Sequence, residues 1–198
     1  DDIQYKKRSW QQRNRIIEFS KNDYQWLTVP VKSKGKYHQK FQDVEIDLEN
    51  KNYNNISKII KFNYQSSPYF KDLFIDIESV LEKKNKFLID LNVVLIKKIC
   101  NFLRIEKEFV FSSSFNLNSK KSQLLFDLTK AVNGTVYLSA PGSAVFFEEH
   151  NPFLMSKIEL KYHEYFCKNY KQRTTDFLSY CSIIDMIFNI GKEAKNFI

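Results

Sequence analysis

Between Asp2 and Ile16 the chain places Gln4, Tyr5, Lys7, Arg8, Trp10, Arg13 and Asn14 in one polar run that also holds Lys6, Gln11, Gln12 and Arg15. Its five cations could hold a phosphate or carboxylate through charge-assisted hydrogen bonds, while Tyr5 and Trp10 could stack on a flat ligand. Gln4 and Asn14 could fix a ligand's orientation, because each amide both donates and accepts. The competing reading is a solvated basic loop, for which a local run of charge is sufficient.

A second group lies near the C-terminus. In Ser182-Ile-Ile-Asp185-Met-Ile-Phe-Asn189 the acid and the amide share a helix face and could line a pocket wall. Ser182 with Asp185 also reads as a helix-capping pair. Two serine-rich turns could meet a ligand at the carboxyl edge of a sheet: Ser112-Ser113-Ser114 with Lys120-Lys121-Ser122, and Ser139-Ala-Pro-Gly142-Ser143. Gly142 would let backbone approach a ligand closely. Ordinary turn and N-cap chemistry explains either turn equally well, and neither has the spacing of a Walker A loop or a dinucleotide fingerprint. Among His38, His150, His163 and the cysteines, only His163 and Cys167 sit at metal-like spacing, so no metal site is assigned. No motif names a cofactor, and no nucleophile sits in a recognisable elbow.

The elements that must position these groups belong to a folded chain. Within 198 residues, 18 Phe and 11 Tyr stand against 4 Gly and 4 Pro, which excludes a disordered composition. The length suits one hydrophobic core, and no segment reads as a linker, so a single domain over residues 1–198 is expected. The net charge of +8 permits contact with nucleic acid or an anionic surface without requiring it. No apolar run approaches the roughly 20 residues that cross a bilayer, and no leader opens the chain, so a cytoplasmic protein without a membrane span is expected. Cys100, Cys167 and Cys181 are odd in number and irregular in spacing, which argues for reduced thiols rather than a disulfide framework. The opening Asp1-Asp2 without methionine reads as a processed or truncated chain.

Tyr24–Val31 and Val44–Leu48 read as strands, joined by a cationic turn from Lys32 to His38. Apolar residues then recur at helical spacing in three blocks: Tyr53 to Ile60, Phe70 to Leu81, and Leu88 to Ile99. These stripes read as core rather than as a binding groove. From Glu108 onward strand and helix alternate: Glu108–Ser112, Gln123–Val132, Thr135–Ser139, Ser143–Glu149, Ile158–Tyr162 and Ser182–Ile190. That alternation predicts an α/β fold, a three-layer α/β/α sandwich on a parallel or mixed sheet, with the helical segment 51–103 packed at one side.

Three blocks, Asp2–Ile16, Trp26-Leu-Thr-Val-Pro-Val31 and Ser182–Gly191, together resemble the WbqC-like protein family. Lys121-Ser122-Gln123 fits a family pattern in which Leu124 replaces the usual Arg, and Ser139-Ala140-Pro141-Gly142 fits a turn in which Ala140 replaces a Gly. Family members also begin with a further strand-containing segment bearing a Gln-Pro or His-Pro motif, which is absent here. The resemblance implies a role in bacterial surface polysaccharide (O-antigen, lipopolysaccharide) assembly. The implied activity is transfer of an acyl or aminoacyl group, such as glycine, to a nucleotide-linked amino sugar.

On this basis Lys7, Arg8 and Arg13 are expected to hold a diphosphate, and Tyr5 or Trp10 to stack on base or sugar. Asp2 or Asp185 would take the proton of the attacking amine. Gln4, Asn14, Ser113, Lys121, Ser139, Gly142 and Asn189 complete the expected substrate-binding set. The expected partner is thus a nucleotide-linked sugar or another small anionic substrate rather than nucleic acid. The rival expectation is a non-catalytic module for an anionic polymer, an acidic glycan or nucleic acid, whose affinity would fall steeply with salt. If there is a single site, the Asp2–Asn14 residues should share a cavity with Ser139, Asp185 or Asn189.

Overall fold

A computed structural model describes every residue from Asp1 to Ile198. The chain separates into two compact units, one made of residues 1–107 with 167–198 and the other of residues 108–166.

The first unit opens with an antiparallel hairpin of β1 (Arg13–Glu18) and β2 (Asp23–Thr28), in register from Arg13 opposite Thr28 to Glu18 opposite Asp23. Asn22, at φ 53°, turns the chain at the tip, in a left-handed conformation that Asn tolerates well. Helices α1 (Lys51–Tyr64), α2 (Phe70–Glu82) and α3 (Leu88–Phe102) follow, where the apolar periodicity predicts them. The Asn50 side chain accepts from the Asn52 amide and so caps α1. Phe70, Leu73, Phe74, Ile77 and Leu81 of α2 are all buried, as are Ile16 and Ile17 of β1. Burying each such side chain contributes about 1.5–3 kcal/mol. The core of this unit is thus hairpin plus helices, closed by a C-terminal helix over Ile183–Ile190.

The second unit contains, in chain order, α4 (Lys121–Ala131), β3 (Val136–Ser139), α5 (Ala144–Glu148) and β4 (Glu159–Tyr162); the C-terminal helix of the first unit is α6. β3 and β4 pair in parallel, from Val136 opposite Glu159 to Ser139 opposite Tyr162. A small aromatic cluster fills this unit: Phe153 meets Phe126, Tyr137 and Phe147, with its ring centroid 5.3 Å from that of Tyr137.

The protein is therefore mixed α/β, but its strands form two separate two-stranded ribbons. The three-layer sandwich expected from the alternation is not seen in these elements. Two expected strands account for much of the difference. Residues 44–48 make only the isolated bridges Val31–Ile46 and Glu45–Phe87, and residues 108–111 form no ladder before a short 3-10 turn at Ser112–Phe115. The helices of residues 51–103 pack instead on the inner face of the β1–β2 ribbon and supply much of the core of the first unit.

Gly191 ends α6 at φ 64° and ψ −138°, a combination open to glycine alone, and a Cβ there would lie 2.8 Å from the Tyr69 ring. Gly191→Ala is expected to lower stability by about 2–4 kcal/mol, read as a shift of the urea midpoint with unchanged slope.

Candidate functional site

The polar run becomes a turn at residues 6–11 followed by β1, and Gln12 builds it. This side chain is 7% exposed. Its Oε1 accepts from the Tyr5 hydroxyl at 2.5 Å and from the Arg8 amide at 3.1 Å, and its Nε2 donates to the Val29 carbonyl at 2.9 Å. Arg8 adopts φ 59°, so the chain folds back and leaves Lys6, Lys7 and Arg8 exposed together. Gln12→Leu removes the acceptor for both donors and is expected to cost about 1–3 kcal/mol. It should also speed tryptic cleavage at Lys6, Lys7 and Arg8, where a loosened turn reaches the protease more often.

Along β1 and β2, alternation puts Arg13, Arg15, Tyr24 and Trp26 on one face of the hairpin. The Arg13 guanidinium lies 4.1 Å from the centre of the Trp26 ring, and Arg15 lies 4.6 Å from that of Tyr24. Trp10 folds onto Trp26 with centroids 5.2 Å apart, and both indoles stay exposed, at 64% and 42%. Arg15 Nη2 also donates to the Tyr180 carbonyl at 2.9 Å, which steadies the row. The result is a surface of indole faces and guanidinium planes, suited to a ligand that is flat or ring-shaped and negatively charged.

On the other face of the hairpin lies a cavity of about 330 Å³. Asn14, Ile16, Leu27 and Val29 form its hairpin wall, and residues of α1, α2 and α3 with Ile183 and Ile184 of α6 form most of the rest. Trp10 and Arg13 border both cavity and stacking surface, at the end of the hairpin. The polar border is completed by Gln11, Gln12, Asn92 and Ser182. Asn92 Nδ2 donates to the Gln11 carbonyl at 2.8 Å, and the Ser182 amide donates to the Arg15 carbonyl at 2.7 Å. Leu95 and Ile99 pack against the core as the α3 stripe predicts and also line this cavity, while Ile96 at its edge is exposed.

Asp185 lies beneath, fully buried and not part of the cavity wall. Its Oδ1 accepts from the Tyr64 hydroxyl at 2.8 Å and its Oδ2 from the Tyr170 hydroxyl at 2.6 Å; Gln172 and Asn189 also donate to it. Burial pushes this carboxyl above the usual carboxylate range, against the pull of those four donors. Burial likewise pushes the Tyr64 and Tyr170 hydroxyls well up, the nearby Asp185 charge adding to it, so both stay protonated as donors. Tyr64 passes the connection on: its oxygen accepts from the Ile17 amide of β1 at 2.9 Å. The arrangement suits holding α6, α1 and β1 together.

Of the expected site residues, Trp10, Arg13 and Asn14 therefore meet at one cavity, with Lys7 and Arg8 in the turn before them and Gln4 and Tyr5 in the segment bridged to residues 39–40. Asp2 is half-buried at the start of the chain, and Asn189 is buried beside Asp185. Ser113, Lys121, Ser139 and Gly142 belong to the second unit, where Ser113, Lys121 and Gly142 are exposed. Ser139 there is buried with its Oγ 2.5 Å from that of Ser143. Sequence reasoning counted Arg15 only among the cations of the run, gave Gln12 no role of its own and passed over Asn92. Asn92 left a signal, as a polar residue on the apolar face it shares with Leu88, Leu95 and Ile96. Nowhere does the fold gather three or more His, Cys, Asp or Glu side chains into a metal-binding group, and no helix is long and apolar enough to cross a membrane.

A mixed α/β protein with a cationic turn, an indole–arginine surface and a buried Asp185 anchor is thus defined by the same blocks that carry its sequence resemblance. The chain belongs to the WbqC-like protein family, whose family model matches residues 1–197. It is also 32% identical over 200 residues to uncharacterized protein Rv1507c of Mycobacterium tuberculosis, a match that spans all of this chain and 85% of that protein. No solved structure matches it.

Proposed function

We propose that this protein is a transferase of bacterial surface polysaccharide assembly that places an acyl or aminoacyl group on the amine of a nucleotide-linked amino sugar. The observation that carries this reading is the exposed row of Trp10, Trp26, Arg13, Arg15 and Tyr24 beside a polar-rimmed cavity. In this reading an indole face stacks on the base or sugar ring, and Arg13 with Lys7 and Arg8 neutralises the diphosphate. Asn14, Gln11 and Asn92 orient the sugar hydroxyls. The family name supports the polysaccharide setting. Asp2 remains the proposed base, and Asp185, sealed from solvent, acts as a positioning residue.

Calorimetric titration with nucleoside-diphosphate-linked amino sugars tests this. Saturable binding is expected, weakened about tenfold or more in Arg13→Ala. Unchanged affinity in that variant would remove the phosphate role. The exposed cations of the turn also fit a non-catalytic module for an anionic polymer. That reading requires affinity for a long acidic glycan or nucleic acid that falls steeply with salt, with no binding of the monomeric nucleotide sugar.

A further inference from the structure

Residues 167–181 return the chain from the second unit to α6 and carry two of the four side chains that hold Asp185, namely Tyr170 and Gln172. Two cysteines bracket this loop, both partly exposed. The Tyr180 amide donates to Cys167 Sγ at 3.4 Å, so the sulfur of one cysteine rests on the residue next to the other. Bridged cysteines need Cα atoms about 4.4–6.8 Å apart, and here the Cys167 sulfur lies 3.4 Å from the amide one residue before Cys181. We propose that Cys167 and Cys181 are a thiol modification site, an oxidant-responsive pair that closes into a disulfide around this loop.

The chemistry needs a two-electron oxidant, for which hydrogen peroxide serves. The Cys167 thiolate attacks a peroxide oxygen, the O–O bond breaks, and hydroxide leaves, taking up the proton that the thiol had released. Cys167 is then a sulfenic acid. The Cys181 sulfur attacks the Cys167 sulfur, the S–O bond breaks, and water leaves with the Cys181 proton. Two thiols lose two electrons and two hydrogens, and one peroxide becomes two waters. Burial, with the Asp185 charge adding to it, pushes the Cys181 thiol up to about 12, while Arg15 acts in the opposite sense. That makes Cys181 the second, resolving sulfur of the pair.

The bridge would fix the loop that presents Tyr170 and Gln172 to Asp185 and the Tyr180 carbonyl to Arg15. Oxidation would therefore hold Arg15 in place on the stacking surface. This inference rests on the loop's own geometry and stands apart from the transferase reading.

The test uses the whole chain, reduced, freed of reductant and treated with hydrogen peroxide. Intact mass should fall by two hydrogens, and non-reducing peptide mapping should show Cys167 joined to Cys181 with Cys100 still alkylatable. In Cys181→Ser, dimedone should trap a sulfenic acid at Cys167, and no joined peptide should form. The proposal is overturned if both thiols remain alkylatable, if each oxidises separately, or if either joins Cys100 instead. These readouts are independent of nucleotide-sugar binding.

Discussion

Replacing Asp185 with alanine is expected to remove about 3–5 kcal/mol of stability. Tyr64, Tyr170, Gln172 and Asn189 all direct donors at this carboxyl, and each buried donor left without an acceptor carries a desolvation penalty of about 1–3 kcal/mol. Urea titration monitored by circular dichroism measures the loss, and a variant as stable as the parent would sink the anchoring role. The pH dependence has a definite sign. The folded state raises this carboxyl's pKa, so it holds the proton more tightly than the unfolded chain does. The contribution is fully present below the ordinary carboxylate range and is lost as pH rises through the raised value. Asp185→Asn cannot titrate, so the stability difference between parent and variant should change over that interval and level off above it.

Trp26→Ala is expected to weaken nucleotide-sugar binding about 10- to 100-fold, equivalent to about 1–3 kcal/mol of stacking and cation–π interaction. Trp26 is the hub of the row, since Arg13, Arg15 and Trp10 all contact its ring. It is also 42% exposed, so its removal should leave the fold standing. The chain has only two tryptophans, and they touch, so fluorescence quenching on titration reports directly on this surface. An affinity unchanged in Trp26→Ala, with a native circular dichroism spectrum, would move the ligand away from the hairpin.

Local pattern made much of this structure legible. Leu73 and Ile77 announce α2 by their spacing, and both are buried as that spacing requires. The same reasoning places α4, β3, α5, β4 and α6 in order. It overreached where it assembled them, because alternation does not say which strands pair, and residues 44–48 had enough apolar character for a strand but found only single bridges. At the site, the chemistry of Arg13, Trp10 and Asn14 was readable from residue type. Gln12 was not, since an amide turned inward to organise a loop looks like any other in a polar run. The depth of Asp185 was equally hidden, because its partner Tyr64 lies 121 residues away and Tyr170 sits in an irregular loop before α6.

The bonds that converge on Asp185 also set an order of events in time. Tyr64 and the β1 amide it holds are made early by the ribosome, whereas Asp185 and Ser182 emerge only after residues 108–166 have passed. During synthesis the hairpin must therefore wait for α6 while the intervening segment, a compact unit of its own in the folded chain, is translated. Closing so long a loop makes the final docking of α6 a slow, long-range step. The interval before it is when the growing chain most needs protection from aggregation.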